Sequence, residues 1–218
     1  MTGKPTFLFL LLICSVSFGQ IGGQDIYQFL NLVTSPRQAA LGGKVLTLYD
    51  EDVNQAHFNP AAINAEMDNK LSLNYGNYYG EVAYGTASYA YTLDRHVQTF
   101  FGGVNYINYG TFEGRDETGA ITGDFTGSEV ALSFGYAYNI PSTDVYIGAS
   151  VKVISSMLES YTSWGAAADI GAIYVNEDSG LNLALSLRNM GTQITTYAGE
   201  RETLPFEILA GVSQELEN

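Results

Sequence analysis

The chain has 218 residues, 9 Lys+Arg against 23 Asp+Glu, and a formal net charge of -14. That acidity excludes a nucleic-acid binder, which needs a basic face for phosphate. A single Cys excludes a disulfide scaffold and a Cys-ligated zinc cluster. Aromatic residues at 13 % and charged residues at only 15 % exclude a disordered acidic chain.

Residues 1–19 read as an export signal: Lys4 supplies the positive start and Phe7–Val16 the apolar stretch. Ser17-Phe18-Gly19 then offers small residues for cleavage before Gln20. The rival reading lipidates Cys14, but Ile13 stands where a small residue is wanted. No segment after it approaches the roughly 18 to 20 apolar residues of a spanning helix.

Residues 20–70 do not alternate between apolar and polar residues. Asp25–Val33 is predicted as a short helix. Ser35 before Pro36 opens a second one, which Leu41-Gly42-Gly43 ends. Asn59-Pro60-Ala61-Ala62 starts another turn. A segment of this length before the first strand reads as a plug or cap.

From Leu71 the period becomes two. Leu71–Tyr79, Val82–Leu93, Val97–Phe112 and Val145–Met157 are irregular strands. Four segments alternate cleanly. Val130, Leu132, Phe134, Tyr136 and Tyr138 oppose Glu129, Ala131, Ser133, Gly135 and Ala137. Trp164 to Tyr174 oppose Gly165 to Ile173, and Leu181 to Leu187 oppose Asn182 to Arg188. Leu204, Phe206, Ile208, Ala210 and Val212 oppose Pro205, Glu207, Leu209, Gly211 and Ser213. Each strand therefore has one greasy face and one small or polar face.

These make about eight strands, most near the length of about ten that crosses a bilayer as a tilted strand. A soluble sandwich or lipocalin-like barrel also alternates, but turns charged residues outward. Here the second face is mostly Gly, Ala, Ser and Asn with a few charges, which suits a lumen. Tyr75, Tyr78, Tyr79, Tyr109, Phe112, Tyr138, Tyr161, Trp164 and Tyr174 lie near segment ends, as girdles at the membrane borders do. Asp94–His96, Asn139–Asp144 and Asn176–Gly180 read as short turns, and Glu113–Gly127, Ser155–Thr162 and Gly191–Thr203 as longer, outward links. Asp169, Arg188 and Glu207 fall on the inner face, where Arg188 is expected to pair with Glu207 or Asp169. The predicted fold is all-β, an antiparallel transmembrane β-barrel with an N-terminal plug.

Chemistry-bearing motifs are sparse. His96 lies in a turn with Asp94 and Arg95, and His57 follows the run Asp50-Glu51-Asp52. Asp50, Asp52 and Asn54 match the opening of a calcium loop. Gln55 then replaces its Gly and Ala61 its bidentate Glu, which favours capping and turn chemistry. There is no Gly-x-x-x-x-Gly-Lys phosphate loop.

Several of these residues together resemble a known family. Arg37, Gly42, Gly43, Asp52, Asn54, Asn59 and Pro60, in this order and spacing, are similar to the PorV/PorQ group of type IX secretion outer-membrane proteins, within the FadL-like barrels. Tyr27–Leu32, Met67–Tyr75 and Leu204–Glu207 resemble the PorQ type more than the PorV type. The resemblance implies a plugged barrel on the order of fourteen strands. It implies no cofactor and no chemistry. The implied role is to anchor a PorZ-like surface protein near the PorU/PorV attachment complex, which joins cargo to anionic lipopolysaccharide. Since the chain ends at Asn218 after about eight strands, the resemblance predicts a barrel incomplete at its C-terminal end. Fold analogy alone offers a second role, a channel for hydrophobic compounds. A third, an outer-membrane enzyme, needs an outward cluster of catalytic groups that the sequence does not show.

Overall fold

A computed structural model describes residues 25–94, 97–176, 178–197 and 199–215. The export signal and His96 lie outside these residues. Eight antiparallel strands form one sheet in chain order: β1 Leu71–Asn77, β2 Ala83–Asp94, β3 Gln98–Arg115, β4 Ile121–Asn139, β5 Val145–Leu158, β6 Tyr161–Asn176, β7 Leu181–Thr195 and β8 Glu207–Gln214. Each strand pairs with the next, and the sheet is open, with β1 and β8 at its edges. Among the described residues no helix is long and apolar enough to cross a membrane, which says nothing of strands.

Several boundaries differ from the sequence expectation. Glu113–Gly127 is not a loose link, since β3 and β4 run on as a paired ribbon to Arg115↔Ile121. Ser155–Thr162 is mostly strand around a tight turn at Glu159, whose φ is 56°. The last strand starts at Glu207, and Leu204 is instead buried among Ile26, Tyr27 and Leu30. The chain kinks there because Pro205 cannot donate to a ladder.

Residues 25–70 lie across one face of this sheet. Asp25–Val33 is not a helix but a single 3₁₀ turn, Gln28–Asn31, entered through Tyr27 in the left-handed region. The helix after Pro36 is α1, Pro36–Ala40. Further 3₁₀ turns cover Val53–His57, Pro60–Ala62 and Ala65–Met67. Pieces this short cannot hold themselves together. All but Gln28–Asn31 are opened by a capping side chain: Ser35, Asp52, Asn59 and Asn64 accept from the amides of Gln38, Asn54, Ala61 and Glu66. Gly42 and Gly43, at φ 93° and 130°, turn the chain after α1, and the Gly43 amide donates to the Gln38 carbonyl.

Burial against the sheet does the rest. The apolar core is the interface of the two parts: Tyr27, Phe29 and Leu30 meet Ile107 and Ile154, while Val53, Ile63 and Met67 meet Ala90 and Phe101. Leu46, Phe58 and Ala61 meet Ile173 and Ala184. Among the described residues the sheet's other face has no such cover. Leu73, Phe134, Ile170 and Val212 stand on it with 52 to 71 % of their surface exposed.

Candidate functional site

The strand periodicity sorts charge with unusual sharpness. Glu129, Lys152, Asp169, Arg188 and Glu207 all point to the face covered by the N-terminal segment. Across the middle of the sheet, the opposite face carries Leu, Ile, Val, Phe, Tyr, Trp, Met, Ala, Gly, Ser and Thr, and no Asp, Glu, Lys or Arg. Tyr75 and Trp164 are exposed near strand ends on that face, whereas Tyr161, on the parity of Ser163, is exposed at the end of the other face. Tyr109 is not part of this rim. It shares a side with Ile107, turns inward and donates to Glu129 at 2.5 Å.

The inner charges form two linked pairs. Arg188 donates to Glu207 at 2.6 Å, and Lys44 of the N-terminal segment reaches the other Glu207 oxygen at 2.5 Å. Asp169 does not pair with Arg188. Its partner is Lys152, at 2.7 Å, with both side chains under 5 % exposed. A bulge separates the two pairs: the β6–β7 register shifts between Ala168 and Ile170, so consecutive Arg188 and Asn189 are both buried. Asn189 sits there at φ 57°, a conformation Asn tolerates, and its amide donates to Asp169 at 2.8 Å. Lys152 also donates to the Asn189 side chain at 2.8 Å.

This network grips the covering segment. Arg188 donates to the Leu30 carbonyl at 3.0 Å and lies 5.4 Å from the centre of the Phe58 ring. Ser186 donates to the Phe58 carbonyl at 2.9 Å. Burial lowers the Lys44 ammonium's pKa despite its hydrogen bond to Glu207.

The motif residues act inside the segment and along its seams. Arg37 makes a two-pronged contact with Asp50, at 2.5 and 3.0 Å. That hydrogen bonding raises the guanidinium pKa further above its ordinary value. Asp52 caps Asn54, which donates to Ser72 and accepts from Asn74, so it stitches the segment to β1. Asn59 and Pro60 press on the middle of the sheet. Gly148 and Gly171 are cross-strand partners there, and a Cβ on Gly148 would stand 2.3 Å from the Pro60 carbonyl oxygen. Sequence reasoning missed Gln38 and Gln55, which are buried, bonded to each other, and hold Val45 through Gln38.

His57 is a packing residue. Its Nε2 is 2.8 Å from Ser88 Oγ, and its ring meets Phe101 edge-on at 5.1 Å. Burial first, then the charges of Lys152 and Arg188, push its pKa down to about 3. Asp50 spends its oxygens on Arg37 and the Asp52 amide, and Asp52 gives Oδ1 to Asn54 while its Oδ2, without a hydrogen bond, stands 3.7 Å from Arg37. Among the described residues no group of three or more His, Cys, Asp or Glu could hold a metal ion.

A second polar network lies nearer the ribbon end. Tyr27 and Gln193 both reach Ser163 Oγ, at 2.6 and 2.8 Å, and Tyr197 of the β7–β8 link donates to Ser156. Burial raises the Tyr27 and Tyr197 phenols. Beside this network Phe29, Leu32, Tyr78, Tyr79, Val82, Ile107 and Tyr109 line an apolar cleft of about 500 Å³.

No protein-family profile matches this chain, and no curated protein matches it.

Proposed function

We propose that the sheet is the wall of an outer-membrane β-barrel, that residues 25–70 are its plug, and that the protein anchors a partner at the cell surface without doing chemistry. The single observation behind this reading is the inverted distribution of charge and grease. Charged side chains are buried against the covering segment, while a broad apolar face is exposed. Soluble monomers seldom leave an apolar patch beyond a few hundred Å². Hydrocarbon, by contrast, tolerates no charge at its centre, where Arg or Lys costs about 2 to 4 kcal/mol. In lipid the unpaired edges of β1 and β8 each need a strand partner, so the wall has to be completed into a barrel.

The anchoring role rests on the resemblance to the PorV/PorQ group and on the tightly tied plug. Capped turns, the Arg188 contacts and the Gly148–Pro60 approach make a rigid body of the segment and the wall, suited to carrying a load. In this reading the β2–β3, β4–β5 and β6–β7 connections face the periplasm. The β3–β4 ribbon and the β7–β8 link then face outward, toward a PorZ-like protein, the PorU/PorV attachment complex and anionic lipopolysaccharide.

The cleft of about 500 Å³ between the plug and the β1–β2 turn favours a second reading, a passage for hydrophobic compounds. Deletion of the gene separates the two. Anchoring predicts that proteins normally retained on the surface appear in the medium, with uptake of a long-chain fatty acid unchanged. Lost uptake with an unchanged surface protein profile would overturn anchoring in favour of the channel.

A further inference from the structure

The β3–β4 ribbon outruns its neighbours. Pairing of β2 to β3 ends at Asn108, and pairing of β5 to β4 ends at Gly127. Beyond them β3 and β4 pair only with each other, from Thr111↔Thr126 to Arg115↔Ile121. The two strands have 18 and 19 residues, against the roughly ten that cross a bilayer. A lone two-stranded ribbon is marginally stable in water.

Its two sides differ. Phe112 and Phe125 stack at 5.2 Å on one side, with Phe112 40 % exposed, and Ile121 is 61 % exposed at the tip. Glu113 and Asp124 stand directly opposite each other across the ribbon, a like-charge pair that destabilises it. Arg115 takes Glu113, and Asp116 is used on the amides of Thr118 and Ala120. Glu117 and Asp124 have no salt bridge among the described residues. Residues 111–126 hold four carboxylates and Arg115, a net charge of -3.

We propose that this ribbon is the docking arm for the surface partner, and that the partner is a protein presenting Lys/Arg side chains around an apolar notch that takes Phe112 and Ile121. The proposal rests on the anchoring reading above and adds the site and the partner's chemistry. Charge decides the occupant. A second copy would set two ribbons of -3 against each other, and an anionic lipid surface would be repelled. A basic protein cleft that clasps the ribbon relieves the Glu113–Asp124 repulsion on one side and covers the stacked rings on the other.

The test is photo-crosslinking in cells, with p-benzoylphenylalanine placed at position 112, at position 121 and, as a control in the β5–β6 turn, at position 159. The expected result is one protein adduct at positions 112 and 121, absent at 159, whose contact peptide is rich in Lys or Arg. The adduct should fall about tenfold or more in the Glu117→Lys, Asp124→Lys variant, because like charges facing across an interface cost several kcal/mol. The Glu117→Gln, Asp124→Asn variant should give an intermediate loss. Heat-modifiable migration on gels checks that each variant is folded. Adducts to lipid or to the same chain alone, or a protein adduct indifferent to both charge variants, would overturn the docking arm. If gene deletion releases surface proteins and the ribbon gives no adduct, the arm falls and anchoring stands. If deletion leaves the surface unchanged, both fall.

Discussion

The two faces of the sheet are built from the same strands but solve opposite problems. The covered face holds Lys152–Asp169 and Arg188–Glu207 in contacts of 2.6 to 2.7 Å, each charge tied to a named partner. The bare face holds Val151, Ile170 and Phe134, exposed and uncharged. On one face, tolerance is set by partners: a substitution is harmful when it orphans a group. On the other it is set by solvent: a substitution is harmful when it introduces a group the surroundings cannot hydrate.

The largest expected effect tests the covered face. Asp169→Asn leaves Lys152 buried beside a neutral amide, and removing one member of a buried pair costs about 3 to 5 kcal/mol. Adding Lys152→Met should recover most of that loss, since the remaining Asn can still accept from the Asn189 amide. Thermal melting of the refolded protein in detergent micelles reads both. If the double variant were no better than the single, the cost would lie in packing, and the contrast between the faces would lose its electrostatic basis.

The bare face is tested by Val151→Arg. Val151 is 57 % exposed and flanked across the ladder by Phe134 and Ala168. In a protein solvated by water this change is worth within about 0.5 kcal/mol. At a bilayer midplane it costs about 2 to 4 kcal/mol. Assembly into lipid vesicles, followed by urea unfolding, separates the two. An unperturbed Val151→Arg would take the sheet out of the membrane.

The contrast between the faces was legible in the sequence because a side-chain period of two leaves little freedom: once Phe134 is outside, Glu129 is inside. Arg188–Glu207 followed from the same alternation. Lys152 escaped notice because Val145–Met157 sets Tyr146 and Ile154 on the inward row with Lys152 and Ser155 on the outward one, which blurs the alternation. The Asp169 partner depended on a bulge that one strand's sequence does not announce. Glu113–Gly127 read as a link because its residues are mostly polar and Gly-rich, and Ile121 and Phe125 alone do not mark the apolar row of a strand. Caps at Ser35, Asp52 and Asn59 are local and could be read. The Gln38–Gln55 bond joins turns far apart in the chain and could not.

The smallest effect concerns His57, and it sharpens the comparison by asking whether the covered face is dry. His57 is 6 % exposed, beside Ser88 and Phe101 and under the field of Lys152 and Arg188, with Asp169 opposing them. Its pKa falls from an ordinary 6.5 to about 3, first through burial. The unfolded chain therefore binds a proton that the folded protein refuses throughout that window. The stability held by neutral His57 is fully present above pH 6.5 and is lost as pH falls toward 3, by about 1.4 kcal/mol per pH unit once inside the window. Asp50 also favours the folded state at higher pH. Burial opposes its ionisation, but Arg37 and the Asp52 amide hold its pKa below the ordinary 3.8, so its loss begins only at the acid end. Between about pH 6 and pH 4.5 His57 thus contributes a slope that Asp50 does not. Going down that range, melting temperature should drop further in the unaltered protein than in His57→Gln, which keeps a partner for Ser88 without titrating. Equal slopes in the two proteins would assign the acid sensitivity elsewhere and mean that water reaches the ring beneath the plug.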